Sequence, residues 1–320
     1  MYFNEKTLDD LMRKVYLDLK DGPFDIESSR SAILGKLNEK FGVMLELTNP
    51  RARLSKTETR GKAISALGEL VWYLSGDDSL EFIQFYIPKY ADESFDKKTI
   101  YGAYGPRLLV SAGKFNQLEN VIELLKKKRS SKRAVIQLFE ARDIDPNATD
   151  NIPSVPCTCT LQFLVRDDKL SLIVFMRSND AYIGLQHDIF AFTMIQEIVA
   201  SAIGVDLGTY KHCVGSLHLY KNNQGLIEQY LKEGLMSTQY NMTPMPLFTA
   251  LSSAKILVEV EKAIRLGHDY DIDSLELDPY WKDLAYMLAI YAERKRNQDD
   301  IASTFKDKMS TKIYDIYLNK

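Results

Sequence analysis

Cysteine is scarce in this chain: three in 320 residues, too few for a disulfide framework and in keeping with a reducing cytoplasm. Two of them, Cys157 and Cys159, are spaced C-x-C rather than C-x-x-C. No second pair follows at zinc-site spacing, so a metal centre is not expected. Long apolar runs are missing too. No stretch approaches the roughly 18 to 20 uninterrupted apolar residues that span a bilayer, and the opening MYFNEKTLDDLMRKVYLDLKDG lacks the apolar h-region of a signal peptide. The formal charge is only −3, which argues against a broad polyanion-binding surface and hence against long nucleic acid as a partner. Internal repeats and low-complexity linkers are absent. What remains is ordinary soluble globular composition, 45% hydrophobic and 27% charged, in a chain long enough for one large or two modest domains.

The apolar periodicity divides that chain into elements. Ala63, Leu67, Leu70, Val71 and Leu74 form one stripe within residues 58–75, a buried helix ended by Gly76-Asp77. Residues 116–128 form a second amphipathic helix with lysines at its C-terminal end, where they suit the dipole. AVIQLF reads as a buried strand. Residues 159–176 read as a hairpin turning at Arg166-Asp167-Asp168-Lys169. A long helix is predicted over 188–203, with Asp188 as a plausible N-cap and Gly204 as its stop, followed by strand character over 210–222. Beyond about residue 250 the pattern turns helical. The expectation is an α+β catalytic domain, 1–250, followed by a helical C-terminal extension, 251–320, packed on or beside the core.

Several residues carry possible chemistry. A free cysteine is ordinarily a small buried hydrophobe. Cys157, however, follows the Pro-containing loop NIPSVP at the start of a strand, a place from which scaffolds present reactive groups. A cation such as Arg177 would raise its thiolate fraction. R-S-N-D at 177–180 puts a guanidinium, a hydroxyl, an amide and a carboxylate in four residues. His218 and Tyr220, two apart on a strand, share a face and can hold a hydroxylated ligand. Glu69 sits among apolar neighbours in GELVWYL, where an unpaired carboxylate costs several kcal/mol, so it is either paired or functional. Each segment alone has an ordinary structural reading.

Taken in order, the segments resemble thymidylate synthase over roughly residues 28–224. GELVWYLSGD resembles that family's helix with the acidic catalytic residue, which makes Glu69 the organiser of the proton-relay water. IYGAYG places Tyr101 near the nucleophile, VPCTC puts Cys157 on the attacking cysteine, and Gln162 matches the strand glutamine. MRSNDAYIGLQHDI resembles the long signature with the phosphate-binding Arg177-Ser178, with Asp180 contacting base and folate, and with Gly184 beside the folate. GSLHLYKNN resembles the sugar-binding segment carrying His218 and Tyr220. The resemblance implies a thymidylate synthase-like fold with a large mixed sheet, a pyrimidine nucleoside monophosphate as substrate, and 5,10-methylenetetrahydrofolate as cofactor. It also implies a homodimer in which Lys132 and Arg133 cross from the partner subunit to the phosphate, with Arg30 as a further phosphate ligand. Guanidinium forks suit that task.

The departures bear on specificity. Asp188 stands where thymidylate synthases have an asparagine that reads uracil. An ionised carboxylate only accepts, which fits the C4 amine of cytosine, and the same replacement characterises the cytidylate and deoxycytidylate hydroxymethylases of this superfamily. TNPRARL and the C-terminal extension also resemble the bacterial cytidylate type. Thr158 replaces a histidine, His187 replaces a phenylalanine near substrate and folate, Lys132 replaces a second arginine, and Tyr90 stands about where an indole of the folate site is expected. The sequence therefore predicts a cytoplasmic hydroxymethyltransferase acting on CMP or dCMP through a Cys157 adduct at C6. The alternatives are a divergent thymidylate synthase methylating dUMP and a catalytically silent nucleotide-binding paralogue.

Overall fold

A computed structural model describes residues 1–28, 30–234 and 240–318; the last two residues of the expected C-terminal extension lie outside the described residues. Six strands form one mixed sheet in the order β1-β2-β6-β5-β4-β3: β1 Tyr2–Glu5, β2 Leu37–Leu47, β3 Val135–Gln137, β4 Thr158–Arg166, β5 Lys169–Asp180 and β6 Asp206–Tyr220. β1 runs parallel to β2 and β5 parallel to β6, while the other neighbours are antiparallel. With the helices described next, this is an α+β architecture.

The predicted hairpin is β4–β5. Its turn residues Asp167 and Asp168 both have positive φ, 49° and 52°, the left-handed pair that a tight two-residue hairpin requires and that aspartate tolerates better than most residues.

Helices α1 (Leu8–Leu19), α2 (Ala63–Ser75), α3 (Tyr104–Leu109), α4 (Gln117–Lys127) and α5 (Leu185–Ile203) follow in chain order. α2 closes on Gly76 in the left-handed conformation, and α4 opens on Asn116, whose side chain accepts from the Glu119 N–H, a standard N-cap exchange. α5 corrects the expected boundary. It starts at Leu185 after Gly184, so Asp188 lies in the first turn rather than at the cap. Its side chain is thereby free of capping duty and points to other partners.

α5 packs against β5, β6 and α2, and is buried along nearly its whole length. After residue 249 come α6 (Ala250–Leu266), α7 (Pro279–Lys295) and α8 (Asp299–Lys308). α6 packs on α2 and α5, and α7 packs on α2 and α6, with Trp281 fully buried. One apolar core runs through α1, α2, α5 and these later helices. The opposite face of the sheet leaves Tyr2, Val135 and Phe175 exposed. No helix among the described residues is long and apolar enough to cross a membrane.

Candidate active site

Cys157 lies between its proline loop and the first residue of β4. Arg177, on the neighbouring strand β5, fixes the loop from the side. Its backbone N–H donates to the Cys157 carbonyl at 2.9 Å. Its Nε donates to the Pro156 carbonyl at 2.9 Å, its Nη2 donates to the Val155 carbonyl at 3.1 Å, and the same nitrogen lies 3.7 Å from Cys157 Sγ. From the other side the Tyr101-Gly102 turn presses in. A Cβ on Gly102 would sit 3.3 Å from the Pro156 nitrogen, a tight contact that a glycine avoids.

The expected cation is in place, yet burial pushes the Cys157 thiol above its ordinary range. Arg177 and Arg30 pull it down, while Asp188 and Glu93 push it up. Arg30 forms an ion pair with Glu93.

Two buried carboxyl groups face this loop from the helices. Glu69 on α2 accepts from the Tyr90 hydroxyl, and burial raises its pKa. Asp188 on α5 accepts from Asn179 Nδ2 at 2.7 Å. Burial and the Glu69 charge push its pKa up to about 8, against the hydrogen bond from Asn179. A neutral carboxyl at pH 7 both donates and accepts, which changes the expectation of an accept-only group. Tyr90 thus meets Glu69, and its ring packs edge-on against Trp72 at 5.4 Å.

Tyr101 has the Arg107 guanidinium 5.4 Å from its ring centroid, and Arg107 is locked to Asp143 at 2.7 and 2.8 Å. Three residues further on, Tyr104 accepts from the Thr158 N–H at 3.1 Å and the Thr158 hydroxyl at 2.9 Å. It is half-buried beside Asp188 and Cys157. Sequence reading missed Tyr104, although it stands in the same IYGAYG segment one helical turn on. A cleft of about 300 Å³ opens beside Tyr101, lined in part by Glu93, Arg107, Arg142, Ile152 and Pro153; Cys157, Tyr104, Glu69 and Asp188 do not line it.

The remaining residues cluster around the ends of β5 and β6. Asp180 pairs with His218 in register. Its Oδ1 accepts from the Tyr182 and Ile183 N–H groups at 2.7 and 2.8 Å, whereas Oδ2 is buried without a partner. His218 and Tyr220 touch edge to face at 5.2 Å, and the Tyr220 hydroxyl lies 3.0 Å from Ser28 Oγ. Ser178 is half-buried opposite Ser216.

Gly184 packs against Asn179 and Asp188, where a Cβ would come within 3.2 and 3.3 Å. His187 Nε2 lies 2.9 Å from Ser65 Oγ, while its Nδ1 is buried without a partner. Burial, then Arg60 and Lys62, drive its pKa down to about 3, so the ring is neutral. Arg60, another residue the sequence reading missed, stacks on the Tyr182 ring at 4.6 Å and donates to Gln186 at 3.2 Å. Lys132 and Arg133 are exposed just before the edge strand β3, and Gln162 Nε2 donates to the Lys132 carbonyl at 3.0 Å. Within one chain these three form a separate group from the Cys157 loop. Among the described residues no cluster of three or more His, Cys, Asp or Glu suits a metal ion.

Comparison with known proteins agrees with this geometry. The chain is 28% identical over 293 residues to a deoxyuridylate hydroxymethyltransferase of Delftia phage PhiW-14, covering 82% of this chain and 80% of that protein. The family model for thymidylate synthase matches residues 41–264. That span carries the Cys157 loop, both buried carboxyls and the β5–β6 cluster, and a match over so much of the chain shows that it belongs to the thymidylate synthase family.

Proposed function

We propose that this chain hydroxymethylates C5 of a cytosine nucleoside monophosphate, with Cys157 as nucleophile and Asp188 as the group that meets the base. The carrying observation is the Asp188 carboxyl, buried, tied to Asn179 on one oxygen and holding its proton at pH 7. A carboxylic acid donates to N3 of cytosine and accepts from its C4 amine, a two-point match. When the Cys157 thiolate adds to C6, negative charge develops on the ring, and the Asp188 proton passes to N3 to neutralise it. C5 then becomes the nucleophile. Glu69, its pKa raised by burial and its oxygen held by Tyr90, serves proton transfers at C5, with Tyr101 beside the loop. Water reaching the C5 substituent gives hydroxymethyl, whereas hydride gives methyl. The name of the phage relative supports the first outcome.

Enzymes of this family use 5,10-methylenetetrahydrofolate as the one-carbon donor, and the residues here suit it. The orphaned Asp180 Oδ2 and His187 Nδ1 are buried polar atoms in need of partners among the described residues. Asp180, Gly184 and His187 would hold that group, which supplies the carbon. Arg30, Arg177 and Ser178 would bind the phosphate, and His218 and Tyr220 the sugar.

For the partner, the uncovered sheet face supports a homodimer. Tyr2, Met44, Cys213, Phe175, Thr160 and Gln137 align in one row across all six strands, and Tyr2 and Phe175 are 54% and 45% exposed. Exposed Lys132 and Arg133 at the sheet edge fit donation to the partner's phosphate site.

The second reading is a uracil substrate. A neutral Asp188 can also accept from N3–H and donate to O4, and the phage relative is named for deoxyuridylate. Tritium release from 5-tritiated CMP, dCMP, UMP and dUMP, with and without methylenetetrahydrofolate, decides between them. Folate-stimulated release from a cytosine nucleotide is expected; release from the uracil nucleotides alone would reassign the base.

A further inference from the structure

Behind Asp188 runs a hydrogen-bond chain that the scheme above leaves unused. Tyr210 and His212 stand two residues apart on β6, each fully buried. The Tyr210 hydroxyl lies 2.7 Å from His212 Nδ1, His212 Nε2 lies 3.1 Å from Asn179 Oδ1, and Asn179 Nδ2 lies 2.7 Å from Asp188 Oδ2. A buried imidazole without a charge partner is neutral and carries one N–H. Since Asn179 offers His212 an oxygen, which only accepts, that hydrogen sits on Nε2. Nδ1 must then accept from Tyr210. Every donor in the chain therefore points toward Asp188, and reversing one link requires reversing all three, including the Asn179 amide. The side-chain hydrogen bond from Asn179 is taken by Asp188 Oδ2, not Oδ1.

We propose that Tyr210, His212 and Asn179 are positioning residues that fix the rotation of the Asp188 carboxyl, holding Oδ2 as an acceptor and leaving Oδ1 to meet the pyrimidine. This rests on the reading that Asp188 contacts the base. The other groups facing Asp188 are Glu69 and Tyr73 from α2, Tyr90, Tyr104 from α3, Cys157, and Tyr210 itself. Of the charged neighbours, Glu69 disfavours a charge on Asp188, while the Asn179 hydrogen bond favours one. Loss of the chain therefore moves the titration of Asp188 upward.

The test is the pH profile of tritium release from the 5-tritiated cytosine nucleotide, with the cytosine-to-uracil ratio of kcat/KM, in Asn179→Leu, Tyr210→Phe and Asp188→Asn. Thermal unfolding and nucleotide binding are followed alongside. In Asn179→Leu the alkaline limb should rise by about one pH unit, the scale of one hydrogen bond to a charged group, and the ratio should drop several-fold. Tyr210→Phe, which removes a single oxygen far from substrate and keeps the proposal testable where Asn179→Leu does not fold, should give a smaller shift of the same sign. Wild-type limb and ratio in the folded chain variants, with only a lower unfolding temperature, would overturn the proposal and leave a packing role. Asp188→Asn separates the two layers. If it leaves limb and ratio unchanged, the reading of Asp188 fails and the chain's role with it. If it erases the limb while the chain variants do not move it, only the positioning role fails.

Discussion

Helix α5 carries two buried carboxyl groups that face opposite fates. Glu197, in its middle, is met by the Arg53 and Arg51 guanidiniums and by the Met245 N–H. Burial pushes its pKa up, but Arg53 and then Arg51 outweigh it, and the group sits below its ordinary range. Asp188, in the first turn, has no cation against it among the described residues. Its neighbours are an amide and a second carboxyl, and it is pushed up to about 8. The same helix thus holds one charge that is stabilised where it stands and one group that would give up its proton only at a cost. A paired buried carboxylate fastens the fold, whereas an unpaired one stores reactivity.

The sharpest way to break this contrast is at the nucleophile. Cys157→Ala should lower turnover by roughly 10⁴-fold or more, the scale of removing a nucleophile, while nucleotide binding by calorimetry and the urea midpoint stay near wild type. Retained turnover sinks the assignment of the pocket. At the other carboxyl, Arg53→Leu should cost about 1–3 kcal/mol in urea unfolding, because it takes the guanidinium from buried Glu197 Oε2 while Arg51 still holds Oε1. Asp188→Asn should change stability by about 1 kcal/mol or less. Equal losses for the two would erase the distinction between fastening and reactive carboxyls.

The pH dependence sharpens it further. Asp188 has a raised pKa, so the proton proposed to pass to N3 is present below about 8 and lost above it. The kcat/KM for the cytosine nucleotide should therefore fall as pH rises through about 8, and Asp188→Asn should remove that limb while shifting preference toward uracil by roughly tenfold or more. A flat wild-type profile over pH 6 to 9 contradicts this role. The smallest effect is expected at Tyr90→Phe. Without that hydroxyl Glu69 loses a bond that lowers its pKa, and kcat should drop about tenfold or less, the scale of one hydrogen bond, with KM for the nucleotide little changed.

Much of this was legible in the chain itself. The stripe from Ala63 to Leu74 and the Asp-Asp turn state their conformations through period and turn chemistry, and both were recovered. The ordered motifs single out Cys157, Glu69, Arg177 and Asp188 as candidates. The start of α5 was misread because its cap, Gly184, makes no side-chain cap hydrogen bond, so the first acidic residue looked like the cap. β1 has no reading in the sequence because its four residues are too few to show a period, and its pairing with β2 spans some forty residues. The Tyr90–Glu69 and Tyr104–Thr158 contacts escaped because they join separate elements. Asn179 was read only as part of a polar tetrapeptide, since nothing local shows that its two ends meet Asp188 and His212.

If Arg177 binds the substrate phosphate as proposed, it joins two jobs in one side chain. Its Nε and Nη2 are already spent on the Pro156 and Val155 carbonyls, with Nη2 also within reach of Sγ, so a phosphate would meet the guanidinium mainly at Nη1. Grasping the phosphate then pulls on the same rigid plane that seats the sulfur, and recognition becomes alignment. A nucleoside without its phosphate should accordingly be a slow substrate as well as a weak one, with a deficit in kcat that raising its concentration does not repair.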